Sequence, residues 1–176
     1  AAIINRAGEI HSIHLAGAGN MVTMLIGSEL GFEDSGLAED IKKYPLAKVE
    51  SLFHIRHEDG TVQFFDEPLD PRSFARVVPG NHSLERIRTV RREAKTKVFV
   101  VNAIRSLERV SPTGNVRDIE FVTLVGGSAL DFEIPQLVTD ALSKFSIVAG
   151  RANIRSVEGP RNAVATGLVL AYGEGE

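Results

Sequence analysis

Ile119-Glu120-Phe121-Val122-Thr123-Leu124-Val125-Gly126-Gly127-Ser128 is the stretch that decides the class of fold. A largely apolar run from Ile119 to Val125 predicts a strand buried on both faces, the kind that lies beneath helices in an α/β sheet. Two glycines and a serine stop it at once. Downstream, Pro135 opens a predicted helix that reaches about Lys144, because a proline is tolerated in the first helical turn. Ser146–Ala149 reads as a short strand, and Pro160 opens a final apolar helix through Ala171. Strand and helix therefore alternate outward from the twin glycine, which is α/β patterning.

Upstream the pattern is mixed. Ala1–Asn5 and Ile10–Ala16 predict two strands of a hairpin, the first of them buried, around the turn Arg6-Ala7-Gly8-Glu9. Gly17-Ala18-Gly19 breaks the second strand. Asn20 is placed to cap a helix over Met21–Leu30, apolar nearly all round and so expected to be deeply buried, with Gly31 at its C′ end. Ser35 is placed to cap a polar helix, Leu37–Tyr44, stopped by Pro45, with a short helical turn after it. Phe53–Glu58 and Thr61–Phe65 flank Asp59-Gly60, a strong hairpin signal. Asp70-Pro71 opens another short helix. Leu84–Arg109 runs 26 residues without Gly or Pro. Its apolar stripe is Leu84, Ile87, Val90, Ala94, Val98, Val101 and Ile104.

Composition narrows the function. The chain has 176 residues, 43% of them apolar and 24% charged. That suits one globular domain or two small subdomains and argues against disorder. No apolar run reaches the roughly 20 residues that span a bilayer as a helix. A net charge of −3 gives no global pull toward nucleic acid. With no cysteine, disulfides, thiolate catalysis and thiolate metal sites are excluded. The start Ala1-Ala2-Ile3-Ile4 carries no Met and no basic segment. It reads as a cut inside a strand, so the chain is taken as a piece of a longer protein.

The candidate motifs each admit a plain alternative. Gly17-Ala18-Gly19 has Val22 where a dinucleotide loop needs its third glycine, so a Rossmann site is set aside. Ser128 lacks the second glycine of a nucleophile elbow, since Leu130 stands there. Gly126-Gly127 at a strand end suits either close backbone approach to a ligand, typically a nucleotide, or a structural turn. In Ala38-Glu39-Asp40-Ile41-Lys42, Glu39 and Lys42 share a helix face. They form either an exposed ion pair of under about 1 kcal/mol or a carboxylate–ammonium pair able to hold ribose hydroxyls or an adenine edge. The long helix carries eight Arg or Lys against three Glu, read as a solvated face. His11/His14 and His54/His57 lie three apart on strands, so neither pair converges on a metal.

Three of these segments together resemble the actin-like ATPases. Thr123–Ser128 is similar to their adenosine motif. Ala38–Lys42 resembles their A-E-x-I-K helix, and Asn162–Leu168 the helix linking the halves of the fold. Longer runs (HLAGAGNMVTMLI, IKKYPLAKVESLFHIRHEDG, VSPTGNVRDIEFV, LVGGSALDFEIPQLVTDAL and EGPRNAVATGL) resemble the large subunits of diol and glycerol dehydratase reactivases along essentially the whole chain. That family implies one lobe, residues 1–176, of an actin-like, ribonuclease H-like ATPase domain: a mixed sheet with helices on both faces. It implies a cytoplasmic, ATP-dependent chaperone-like factor, associated with a bacterial microcompartment. Such a factor works with a small subunit to release damaged adenosylcobalamin from diol or glycerol dehydratase.

The resemblance assigns Gly126, Gly127 and Ser128 to one side of a bound ATP or ADP. Glu39, Asp40 and Lys42 are assigned to adenine and ribose from the other. Mg2+ ligands, catalytic groups and the phosphate loops are expected outside this chain, the nearest loop just before Ala1. Val77–Gly80 looks shorter than in relatives. A docking lobe with a vestigial groove, or a filament-forming actin-like protein, are the rival readings.

Overall fold

A computed structural model of the chain describes residues 1–70, 82–156 and 159–173. Two compact units appear, one formed by residues 1–19 with 96–176 and the other by residues 20–95. The expected helix at Asp70-Pro71 and the Val77–Gly80 connection fall on residues outside those described. Three small sheets occur among the described residues: one antiparallel pair, one three-stranded antiparallel sheet and one parallel pair. The single mixed sheet expected from the sequence is thus corrected. Both kinds of pairing are present, but strands of three to five residues divide them among separate sheets.

The first unit opens on the antiparallel hairpin β1 (Ala2–Ile4) and β2 (Ile10–Ser12), with Ile3 opposite His11. Asn5 closes its turn by accepting the Ala7 and Glu9 N–H groups on its side-chain oxygen, both at 2.9 Å. β1 is not the buried strand expected, because only its inner residue, Ile3, packs on the core while Ile4 stays 69% exposed. The strand β6 (Phe121–Leu124) pairs in parallel with β7 (Val148–Arg151). Here too burial on both faces is corrected. Val122 and Leu124 turn to the core, whereas Phe121 is 61% exposed. A two-stranded sheet has one face on the helices and nothing in these residues to cover the other. The core itself is built from Val100, Leu107, Val110, Val116, Ile134, Val138 and Leu142, among others.

The second unit contains α1 (Gly19–Leu30, entered from the end of the first unit), α2 (Ser35–Lys43), the sheet β3 (Ala47–Ser51), β4 (His54–His57) and β5 (Val62–Phe64), and α3 (Leu84–Lys95). α1 starts ahead of Asn20, so Asn20 is inside the helix and not its cap. Only Val22, Ile26 and Leu30 are buried on it, a stripe at steps of four, while Met24 is 74% exposed. Gly31 ends it with φ +67°, as its C′ position requires. α2 is capped by Asp34, whose carboxylate accepts the Gly36 N–H at 2.7 Å, and not by Ser35. The turn expected after Pro45 is instead strand β3, antiparallel to β4. β4 and β5 form the hairpin around Asp59-Gly60, with Gly60 at φ +91°.

The long helical pattern after Leu84 is not one α-helix. α3 gives way at Thr96–Val100 to a π-helical turn, followed by α4 (Val101–Val110). A π turn takes more residues than an α turn, so the buried positions shift. Expected core residues Val101 and Ile104 are only half-buried; Ser106, Leu107 and Val110 carry the stripe. The basic face is solvated as expected at Arg86, Arg88, Arg92, Lys97, Arg105 and Arg109, but Arg91 and Lys95 depart from it and are both fully buried. α5 (Ile134–Ser143) starts with Pro135 in its first turn, and α6 (Ala163–Gly173) has no buried residue at all.

Candidate functional site

In the second unit, the sequence places Glu39 one turn before both Lys42 and Lys43 on α2. All three side chains meet. Lys42 Nζ donates to Glu39 Oε2 at 2.5 Å, and Lys43 Nζ lies 2.9 Å from Glu39 Oε1. Thr23, one turn into α1, joins them: its hydroxyl donates to Glu39 Oε2 at 2.5 Å and accepts from Lys42 Nζ at 2.9 Å. The exposed ion pair that the spacing alone allows is therefore corrected, because Lys42 is buried and Glu39 half-buried. Asp40 stands apart from this cluster. It is exposed, and its backbone carbonyl accepts the Tyr44 N–H that closes the helix.

The electrostatics follow from that packing. Burial pushes the Glu39 carboxyl up, but hydrogen bonds from Lys42, Thr23 and Lys43 outweigh it and bring the pKa down to about 2. The same contact raises Lys43. Glu39 is thus a firmly ionised acceptor beside a buried ammonium.

In the first unit, the end of β6 turns sharply. Gly126 has φ +88° and ψ −179°, a conformation essentially confined to glycine. Its N–H donates to the Pro160 carbonyl at 2.8 Å, and its carbonyl accepts from Ala129 at 3.1 Å, so the turn is fixed on both sides. Gly127 opens a short 3-10 turn to Leu130. A Cβ built on Gly127 would meet no atom within 4 Å, leaving its backbone open to a ligand. Ser128 is half-buried and lines a cavity of about 400 Å³ with Ile13, His14, Phe99, Ser106 and Val125. The residues of each segment thus come together within their own unit.

Thr23 is not marked as a site residue by the sequence, where its only signal is a lone hydroxyl in the apolar run Met21–Ile26. Nor is Arg91. Its guanidinium donates to Glu58 Oε1 at 2.7 Å and to the Tyr44 carbonyl at 3.3 Å. Glu58 Oε2 accepts the Leu46 N–H at 2.9 Å, so this pair fixes the connection leaving α2.

Among the described residues, no three or more His, Asp or Glu side chains form a group able to hold a metal ion. No helix among them is long and apolar enough to cross a membrane.

The chain is 65% identical to the propanediol dehydratase-reactivating factor large subunit of Citrobacter freundii and to the diol dehydratase-reactivating factor large subunit of Klebsiella michiganensis. Each alignment covers 98% of this chain and 30% of the relative, so the chain spans about a third of their length. The alignments run over 182 positions against 176 residues here, so the relatives carry residues that this chain lacks. Among solved structures, a glycerol dehydratase reactivase matches with TM-score 0.90 and 60% identity over 99% of this chain and 30% of that one. A diol dehydratase-reactivating factor in nucleotide-free form matches with TM-score 0.88 and 63% identity over 98% of this chain and 30% of that one. The mixed α/β fold is of the actin-like ATPase type. The diol dehydratase reactivase ATPase-like domain model matches residues 1–172, and the chain belongs to that family.

Proposed function

We propose that this chain supplies part of the nucleotide-binding domain of a dehydratase-reactivating factor's large subunit. The whole factor works with a small subunit to release damaged adenosylcobalamin from diol or glycerol dehydratase. The observation that carries this reading is 65% identity, over 98% of the chain, to large subunits named for that role. ATP or ADP would supply the binding energy that favours one conformation of the factor over another, which requires unequal affinity for the two. Gly126 and Gly127 approach it through backbone, with Ser128 beside them. Glu39 and Lys42 offer an acceptor and a donor to its nucleoside, and Asp40 adds an exposed carboxylate. Mg2+ and the groups that activate water belong to the longer protein.

The openness of Gly127 supplies a test. A Cβ at Gly127 meets no protein atom within 4 Å, so Gly127→Leu starts into open space and should fold, which a circular dichroism spectrum checks. In the full-length factor it blocks nucleotide approach, and both ATP turnover and reactivation of cobalamin-inactivated dehydratase are lost. Reactivation at the unaltered rate would favour a docking lobe with an idle groove.

A further inference from the structure

We infer that Thr23 is a positioning residue for the Glu39–Lys42 pair, fixing the carboxylate and ammonium in the one arrangement that a nucleoside meets. The inference rests on the proposal that this face of α2 contacts the nucleotide.

A hydroxyl offers one donor and two acceptor sites. Thr23 uses the donor on Glu39 Oε2 and an acceptor site on Lys42 Nζ. Glu39 lies within reach of two lysines on its own helix, one turn away on either side of its face. Lys43 is already on Oε1 and Lys42 on Oε2. Within α2 alone, the carboxylate plane can twist between the two long, flexible lysines at little cost. The Thr23 hydroxyl comes from a second helix and bonds both Glu39 Oε2 and Lys42 Nζ, which holds the carboxylate plane and the ammonium together.

The backbone that carries Thr23 is well held. Its neighbours Val22 and Ile26 are 0% exposed. Gly27, one turn on, lets α1 come close enough that a Cβ there would sit 3.8 Å from the Ala38 Cβ on α2. β-Branching also restricts Thr23 at χ1, so the hydroxyl is presented with little freedom.

The test uses the full-length factor and ATP. Thr23→Val keeps the shape and removes the hydroxyl. The KM for ATP should rise roughly tenfold, the loss expected when a charged pair gives up a hydrogen bond. The kcat should stay within about twofold, since the phosphates are handled elsewhere. Thr23→Ser should restore KM, whereas a purely packing role would be restored by Val and not by Ser. Glu39→Gln is the reference. If Glu39→Gln raises KM and Thr23→Val does not, the positioning role is wrong and the nucleotide reading stands. If neither changes KM, both fall. Should Thr23→Val fail to fold, Thr23→Ala compared with Thr23→Ser gives the same decision. Equilibrium binding of ADP serves as the readout independent of turnover.

Discussion

Arg91 and Glu58 form a salt bridge of 2.7 Å in which the arginine side chain is fully buried and the glutamate 13% exposed. Breaking one side of such a pair leaves a charge without compensation, which costs about 3–5 kcal/mol. Glu58→Ala should destabilise by that order, and Glu58→Gln by less, because the amide oxygen still accepts from Arg91. Denaturant unfolding of the three proteins checks the ranking. Equal midpoints for Glu58→Ala and the parent would show that this bridge holds nothing together.

The Glu39 carboxyl gives a pH signature. Its folded pKa of about 2 lies below the ordinary 4.5. A depressed carboxylate stabilises the fold above the unfolded value, and that contribution is lost as pH falls through the folded one. The stability difference between the parent and Glu39→Gln should therefore be constant near neutrality. It should shrink between about pH 4.5 and 2, by on the order of 2 kcal/mol. Paired unfolding curves across that range measure it. A difference that does not change with pH would mean that Glu39 is not held by Lys42, Thr23 and Lys43.

Adjacent glycines at the end of β6 should respond in opposite ways. Gly126→Ala puts a Cβ into a backbone conformation that costs about 1–3 kcal/mol for other residues. Gly127→Ala meets open space and ordinary φ, so its melting temperature should stay near that of the parent. Thermal unfolding of both separates them, and equal losses would refute the assigned backbone geometry.

What the sequence revealed was local. The Asp59-Gly60 hairpin and the Gly31 helix stop are written in turn chemistry that needs no distant partner. The Glu39–Lys42 contact is written in helical spacing. β3 was missed because Ala47-Lys48-Val49-Glu50-Ser51 has little β character of its own, and its pairing with β4 makes it a strand. Arg91 and Lys95 read as surface because charge ordinarily is surface. The arrival of Glu58 and of the Tyr44 carbonyl from other parts of the chain is what lets Arg91 be buried. Thr23 was silent for a related reason: a hydroxyl in an apolar run shows nothing of the carboxylate on a neighbouring helix.

The five-residue π segment Thr96–Val100 sets the phase of everything after it. Each residue in a helix advances the azimuth by about 100°. Loss of a single codon there would let the wider turn relax to ordinary pitch and leave Leu107 and Val110 facing Ile134 and Val138, with which they share one core. The same loss between Val101 and Ser106, where the pitch is already ordinary, would swing them away by about 100°. The wide turn is therefore slack held in reserve: a frame-preserving deletion of one amino acid is tolerated there and not in the ten residues that follow.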